Sequence, residues 1–227
     1  MPGERIAQPN TILPETVRIP AQRPGGGTLV DLRGDRRLGF EVVKRGLDIT
    51  LASVLLVAAA LLLLPVCAAI VLDSPGSPLY LQWRSGKGGR PFRILKLRTM
   101  VAGADRRGPV LTQDGDPRIT KVGSALRRWS LDELPQLLNV LAGQMSLVGP
   151  RPELVSIVDT YTPRQMGVLR VRPGLTGWAQ VNGRDDLPMA EKLELDLEYV
   201  ANRTTRHDLA ILARTVGVVI SGQGTKC

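Results

Sequence analysis

The sequence predicts a mainly helical α+β fold that carries a small β-hairpin and is attached to a membrane by a re-entrant N-terminal helix. Three observations support this prediction. An uncharged apolar run covers Leu51–Leu72, two short strand patterns flank the turn-forming residues Ser85–Gly89, and apolar residues recur at helical spacing over 189–220. The predicted segments are a disordered tail over residues 1–38, the membrane helix over 39–73 and a cytoplasmic domain over 74–227.

Composition narrows the classes of function. Lysine and arginine outnumber aspartate and glutamate by 30 to 21, and the sequence pI is near 10.2. This balance predicts an anionic partner: nucleic acid, lipid headgroups or a phosphorylated substrate. Aromatic residues make up only 4% of the chain, too few for a platform that stacks single-stranded bases. Two cysteines give neither a disulfide framework nor a zinc-binding spacing, and the single histidine, His207, argues against a histidine-based triad or transition-metal site.

The N-terminal 38 residues contain five prolines and the run Gly25-Gly26-Gly27, without sustained apolar periodicity. This composition is typical of a disordered or weakly ordered tail. The segment also lacks the apolar core and cleavage site of a secretory signal peptide.

The apolar run over Leu51–Leu72 predicts a membrane helix. It has no charge and only Ser53 as a polar side chain, and a straight helix of this length covers about 33 Å, enough for the hydrocarbon core. A fully buried helix of a soluble protein is the weaker alternative. Lys44 and Arg45 precede the run and several basic residues follow it, which conflicts with the charge asymmetry of a spanning helix. Pro65 removes a helix hydrogen bond inside the run, so we expect a re-entrant helix, with simple spanning as its competitor.

A basic hairpin is expected next, with strands over Leu79–Trp83 and Pro91–Met100 joined by the turn Ser85–Gly89. The turn is not a phosphate-binding loop of the Walker type, because Leu81 occupies the position of the required first glycine. Further on, Asp114 and Asp116 are either solvated loop acids, the preferred interpretation, or metal ligands.

Two adjacent acids, Asp132 and Glu133, are the strongest candidates for chemistry. Ser130 and Glu133 have the spacing of a capping box, which would place both acids in the first turn of a helix that continues through Leu137. Asp132 could be the cap instead, with Pro135 in the first turn. In either case the positive end of the helix dipole favours ionised carboxylates, and Arg127 lies just upstream. Such acids suit covalent phosphoryl chemistry or metal binding, although plain helix capping is the alternative.

The remaining signals are a constrained arginine, a glycine-rich loop and two helices. Proline on both sides of Arg151 limits its backbone, which would help a guanidinium to bind phosphate, although an exposed loop arginine is equally compatible. The loop around Trp178 either approaches an anion with its backbone amides or packs the tryptophan. Amphipathic helices are expected over Met189–Tyr199 and Asp208–Ile220, the latter packed on the domain or lying at the membrane surface.

Taken in order, these stretches resemble the monotopic phosphoglycosyl transferases, the bacterial sugar transferase family. The resemblance runs from about Lys44 to Gly224, which makes it far more specific than any one motif. Its blocks are Lys44-Arg45 with Asp48, Asp73–Gly76, Pro91–Arg93, Lys96–Met100, Ser130–Gln136, Met145–Pro152 and Arg172–Trp178. One departure is Leu64-Pro65, where the family commonly has a Ser-Pro pair.

The resemblance implies transfer of a sugar 1-phosphate from a UDP-sugar to polyprenyl phosphate, with release of UMP, at the cytoplasmic face of a bacterial inner membrane. It implies Asp132 as the nucleophile, Glu133 as a ligand of Mg²⁺, and Arg127 and Arg151 as phosphate-binding residues. The sequence does not identify the sugar, the glycan pathway or the oligomeric state. A homodimer is one of the oligomeric states that it allows. Two alternatives are a membrane-anchored binder of anionic ligands without turnover and an anchored nucleic-acid-binding protein; we expect no nucleic acid partner.

Overall fold

The computed structural model describes residues 34–108, 112–113, 115–222 and 224. Seven α-helices and four short strands form an α+β domain in these ranges. The helices are α1 (Gly34–Asp73), α2 (Lys121–Arg128), α3 (Gln136–Leu141), α4 (Val155–Val158), α5 (Trp178–Val181), α6 (Met189–Asn202) and α7 (Thr205–Ser221). The strands are β1 (Leu79–Ser85), β2 (Pro91–Leu97), β3 (Ser146–Val148) and β4 (Gly174–Thr176). Of the tail predicted over residues 1–38, residues 1–33 lie outside the described residues, and the prediction is wrong for residues 34–38, which belong to α1.

The predicted hairpin is confirmed. Strands β1 and β2 pair antiparallel, with Leu79 opposite Leu97 and Ser85 opposite Pro91. The second strand ends at Leu97, earlier than predicted, and Met100 forms an isolated bridge with Ile119 instead. The other two strands, β3 and β4, pair in parallel, and β3 ends just before the loop that carries Arg151.

Helix α1 begins at Gly34, well before the apolar run, and continues through Pro65 to Asp73. In the described part of the chain it is the one helix long and apolar enough to cross a membrane, and only 11% of its most apolar window is buried inside the protein. This exposure argues against the buried helix of a soluble protein, since Leu61 and Leu64 are 85% and 77% exposed. The re-entrant path stays a prediction.

Both ends of α1 contact the same domain. Near the start, Lys44 forms an ion pair with Asp208 of α7 at 2.6 Å, and Arg45 donates to the Val140 carbonyl of α3 at 2.7 Å. Near the end, Asp73 accepts from the Val122 backbone N–H of α2 at 2.9 Å. Polar contacts on both sides of the apolar run therefore tie α1 to one body.

The main core lies between α1, the hairpin, α3, β3 and the last two helices. Its buried members are apolar residues contributed by all of these elements: Ala52, Phe92, Ile94, Leu137, Val140, Met145, Leu147, Val148, Tyr199 and Ile211. A smaller cluster of Ile70, Leu97 and Leu126 joins the end of α1 to β2 and α2. The hairpin and α2 are thus fixed against the segment that carries Asp132 and Glu133.

Both C-terminal helices are confirmed with small extensions. The side chain of Thr204 caps α7 by accepting from the His207 backbone N–H at 3.1 Å, and Gly222 ends the helix in a left-handed conformation. Leu209, Val216 and Ile220 are more than half exposed, whereas Ile211 is fully buried. One face of α7 packs on the domain and the other presents apolar side chains to the surroundings.

Candidate active site

Asp132 and Glu133 lie in a single 3₁₀ turn over Leu131–Glu133, between α2 and α3. The predicted capping box is wrong, because Ser130 has a φ of 54° and its side chain makes no capping hydrogen bond. Its hydroxyl instead accepts from Arg184 Nη2 at 2.7 Å. The alternative with Pro135 in the first turn is also wrong, since Pro135 is the residue before α3. A tertiary partner for Ser130, from far along the chain, replaces the local cap.

Glu133 binds two cations. Its Oε1 atom accepts from Lys96 Nζ at 3.0 Å and from Arg151 Nη2 at 3.1 Å, and the Glu133 side chain is only 15% exposed. Burial by itself would raise the pKa of Glu133, but the charges of Lys96 and Arg151 hold that pKa well below its usual range. Glu133 is therefore a permanently ionised carboxylate.

Asp132 is buried at 8% exposure and has a different environment. Burial raises its pKa to about 6, although the charge of Lys96 acts in the opposite direction, as do Arg127 and Arg151. Its carboxylate is therefore more basic than that of an exposed aspartate. A basic, desolvated carboxylate beside three cations can attack an electrophilic phosphorus.

The two predicted phosphate-binding arginines come together at these acids, and each is held by one neighbour. Arg127 Nε donates to Thr99 Oγ1 at 2.9 Å, which orients the guanidinium from the last turn of α2. Gly123, one turn earlier, lies so close to the backbone of Thr99 that a Cβ there would collide with it. Arg151 is 38% exposed and can meet a ligand from solvent.

Lys96 and Thr99 are site residues to which sequence reasoning assigned no role. The signal for Lys96 was the period of strand β2, because Lys96 lies on the same face as the buried residues Phe92 and Ile94. A lysine on the inward face of a strand needs an acidic partner, which is Glu133 here. The hydroxyl of Thr99 carried no comparable signal.

The structure decides between the alternatives that the sequence left open for the loop around Trp178 and for Asp116. Trp178 packs edge-to-face on His207 with ring centroids 4.9 Å apart, and Arg214 lies 5.1 Å from its ring centre. The packing interpretation of the glycine-rich loop is therefore the one observed. Asp116 is bound by Arg118 at 2.6 Å, which gives it a structural ion pair, and Asp114 lies outside the described residues.

Asp132 and Glu133 are also candidates for holding a metal ion. In the ranges that the structure describes, no group of three or more His, Cys, Asp or Glu side chains could hold a metal ion. Two adjacent carboxylates nevertheless suit Mg²⁺, which is commonly held by one or two carboxylates, substrate phosphates and water. The donor set at Asp132 and Glu133 fits a metal that arrives with a diphosphate, rather than a metal held by protein groups alone.

Comparison with known proteins gives a consistent result. The model of the family described as bacterial sugar transferase matches residues 40–222. The UDP-glucose:undecaprenyl-phosphate glucose-1-phosphate transferase of Caulobacter vibrioides is 44% identical over 86% of this chain and 73% of its own length. A UDP-N-acetylgalactosamine-undecaprenyl-phosphate N-acetylgalactosaminephosphotransferase of Aeromonas hydrophila is 40% identical over 82% of this chain, but the match spans only 46% of that protein. The exopolysaccharide production protein ExoY of Rhizobium meliloti is 38% identical over 81% of this chain and 88% of its own length.

Proposed function

The chain belongs to the bacterial sugar transferase family, and from this membership we propose that it transfers a sugar 1-phosphate from a UDP-sugar to a polyprenyl phosphate such as undecaprenyl phosphate. The observation that carries the proposal is the pair of adjacent acids in unlike surroundings, Glu133 bound by two cations and Asp132 buried beside them. The product would initiate assembly of an exopolysaccharide, an O-antigen or a related glycan.

The proposed reaction has two displacements at the phosphorus that bears the sugar. In the first, the Asp132 carboxylate forms a bond to this phosphorus, the bond from phosphorus to the bridging oxygen breaks, and UMP leaves with that oxygen. In the second, an oxygen of the polyprenyl phosphate attacks the same phosphorus and the Asp132 carboxylate is regenerated. The two steps together exchange one phosphoanhydride for another, so no external energy source is required.

The cations around the acids have distinct proposed roles. Arg151 and Arg127 bind the diphosphate oxygens, because the planar guanidinium makes paired hydrogen bonds to phosphate that an ammonium cannot. Lys96, bound to Glu133 at 3.0 Å, fixes the orientation of that carboxylate. Glu133, with Asp132 close by, would hold Mg²⁺ on the diphosphate, where the metal would neutralise negative charge on the leaving group.

We propose that α1 is re-entrant, so that both of its ends and the domain lie on the cytoplasmic face of the bacterial inner membrane. The contacts at Lys44 and Asp73 support this topology, since one domain on one side cannot hold both ends of a spanning helix. The exposed apolar face of α1 would contact lipid, and the basic surface would favour anionic headgroups. The lipid-linked acceptor would then reach Asp132 from the membrane.

The experiment that tests this function is release of UMP from a panel of UDP-sugars by the purified protein with polyprenyl phosphate and Mg²⁺. We expect one or a few of the sugars to support release that depends on both the lipid and the metal. A binder of anionic ligands without catalysis would release no UMP from any member of the panel, and that result would reject the proposal. The relatives act on different sugars by name, so the panel also identifies the donor.

A further inference from the structure

An open cleft begins at Arg151 and extends away from the acids between α5, α6 and the turn that carries Arg184. Its cavity volume is about 60 Å³. Val168, Ala179, Met189 and Leu193 contribute apolar surface to its walls. None of its lining residues belongs to α1.

Buried polar atoms without a partner are concentrated in this cleft. Seven such side-chain atoms occur in the part of the chain that the structure describes, and four of them line the cleft: Tyr161 Oη, Gln180 Oε1, Gln180 Nε2 and Asp196 Oδ1. Leaving a buried donor or acceptor unpaired costs about 1–3 kcal/mol each, so native structures keep few of them. Four in one cleft beside a phosphate-binding arginine indicate groups that are completed by a ligand.

These atoms are hydrogen-bond donors and acceptors of an amide, a hydroxyl and a carboxyl group. Gln180 offers an acceptor and a donor side by side at the end of one amide. Burial raises the pKa of Asp196 to about 8 and the charge of Glu153 adds to the effect, whereas backbone hydrogen bonds from Arg151 and Ala179 act in the opposite direction. Tyr161 adds a hydroxyl. The paired donor and acceptor of the Gln180 amide suit a flat heterocycle with adjacent carbonyl and N–H groups. Charged residues also line the cleft beside Arg151, namely Glu153, Arg184, Asp185 and Lys192.

We infer that this cleft binds the uracil base of the nucleotide-sugar donor, with Gln180 pairing to the imide edge and Asp196 and Tyr161 completing the remaining hydrogen bonds. The inference rests on the proposed function, which supplies a UDP-sugar as substrate. The phosphates would lie at the mouth of the cleft, on Arg151, and the sugar phosphate would continue towards Asp132. The polyprenyl chain is a poor occupant, because the cleft has no wall from the membrane helix.

The test is direct binding of UMP, measured by calorimetry on the full chain in detergent or nanodiscs. Gln180→Leu keeps the approximate volume but removes both hydrogen-bonding atoms, so we expect UMP affinity to fall about tenfold or more. KM for the UDP-sugar should rise by a similar factor while kcat changes little, because the base is remote from the reacting phosphorus. Inhibition of turnover by a hexose 1-phosphate should be unaffected.

Gln165→Leu is the matched control, because this glutamine bonds to Thr162 outside the cleft and should leave UMP affinity unchanged. Thermal unfolding separates loss of binding from loss of folding: Gln180→Leu should keep its midpoint, since it removes an unpartnered buried amide. If Gln180→Leu does not fold, Gln180→Glu replaces the donor by an acceptor at the same size and should also weaken UMP binding.

Three results would overturn the inference. Unchanged UMP affinity in a folded Gln180 variant would show that the cleft does not hold the base. Loss of inhibition by the hexose 1-phosphate, with UMP affinity retained, would make the cleft the sugar site. Failure of the wild-type protein to bind UMP would also reject the base site. The proposed function fails separately, by absence of UMP release from every UDP-sugar tested.

Discussion

Asp132 and Glu133 are neighbours in sequence, but they cannot both attack the same phosphorus. Their different surroundings give the two carboxylates different roles. Glu133 shares one oxygen with Lys96 and Arg151, so its charge is committed to cations. Asp132 is more deeply buried and has a raised pKa. The more basic and less committed carboxylate is the better nucleophile, which agrees with the role that the family resemblance implied for Asp132.

At the residue scale, we predict that Arg127→Lys and Arg151→Lys reduce kcat/KM by about ten- to a hundredfold while the thermal midpoint barely moves. Lysine keeps the positive charge but loses the planar fork that binds phosphate. Steady-state kinetics and thermal unfolding of the same preparations check this. Arg164→Lys is the control, because Arg164 is 74% exposed and pairs with Glu194 outside the site. A large fall in midpoint for either site variant would assign that arginine a structural role instead.

The structure brings together the two predicted acids and the two predicted arginines, but the residues that support them could not all be predicted. The acids and arginines belong to recognisable local patterns. Thr99 and Ser130, in contrast, have partners that are distant in sequence, Arg127 and Arg184 respectively. Local spacing contains no information about such partners, which explains why the capping box at Ser130 was wrong.

At the scale of elements, Lys44, which precedes the apolar run, joins α1 to the rest of the molecule. Lys44 donates to Asp208 at 2.6 Å and to the Val148 carbonyl at 2.9 Å, and Tyr199 donates its hydroxyl to the other Asp208 oxygen at 2.8 Å. Lys44 and Asp208 side chains are only 12% and 8% exposed. This network fixes the start of the membrane helix to α6, α7 and β3 without contact to substrate.

We predict that Lys44→Met lowers the free energy of unfolding by about 3 kcal/mol or more, because it leaves the buried Asp208 carboxylate without its cation. Lys44→Met combined with Asp208→Asn should be clearly more stable than the sum of the two single changes predicts. Denaturant unfolding in a defined detergent measures both quantities. The exposed pair Arg164 and Glu194 serves as the reference cycle and should show coupling close to zero. Additive effects at Lys44 and Asp208 would contradict the network.

The presence of a helix or strand could be predicted where one physical signal dominated, as in the apolar run, the hairpin and the two C-terminal helices. Element boundaries were less predictable. Helix α1 extends upstream to Gly34 through residues that lack an apolar run, and its start is held by ion pairs to Arg203 and Asp208 near the other end of the chain. Tertiary contacts of this kind override the local end of a hydrophobic pattern.

At the scale of the whole molecule, the course of α1 decides on which side of the membrane each part lies. Single cysteines at Gly39 and Lys87, in a chain with Cys67 and Cys227 replaced by serine, mark the two sides of the helix; an added Cβ at Gly39 meets no atom within 4 Å. We predict that an impermeant thiol reagent added to intact cells labels neither site and labels both after permeabilisation. Labelling of one site alone from outside would mean that the helix spans.

The same assay tests the role of Pro65. Replacing it by leucine restores the helix hydrogen bond that proline lacks, so we expect a fraction of the molecules to adopt the spanning topology. In those molecules the Gly39 site would become accessible from outside. An unchanged labelling pattern would show that the contacts at Lys44 and Asp73 hold the helix without help from the proline.

The central claim is that Asp132 forms the covalent bond to the transferred phosphosugar, and trapping that intermediate tests it most directly. The enzyme is incubated with a UDP-sugar labelled in the phosphate next to the sugar, without lipid acceptor, then quenched, digested and mapped by mass spectrometry. We predict label on Asp132, none in Asp132→Asn, and a turnover loss of several orders of magnitude in that variant. Glu133→Gln should retain the site of labelling at a reduced rate. Label on Glu133, or robust turnover by Asp132→Asn, would contradict the account.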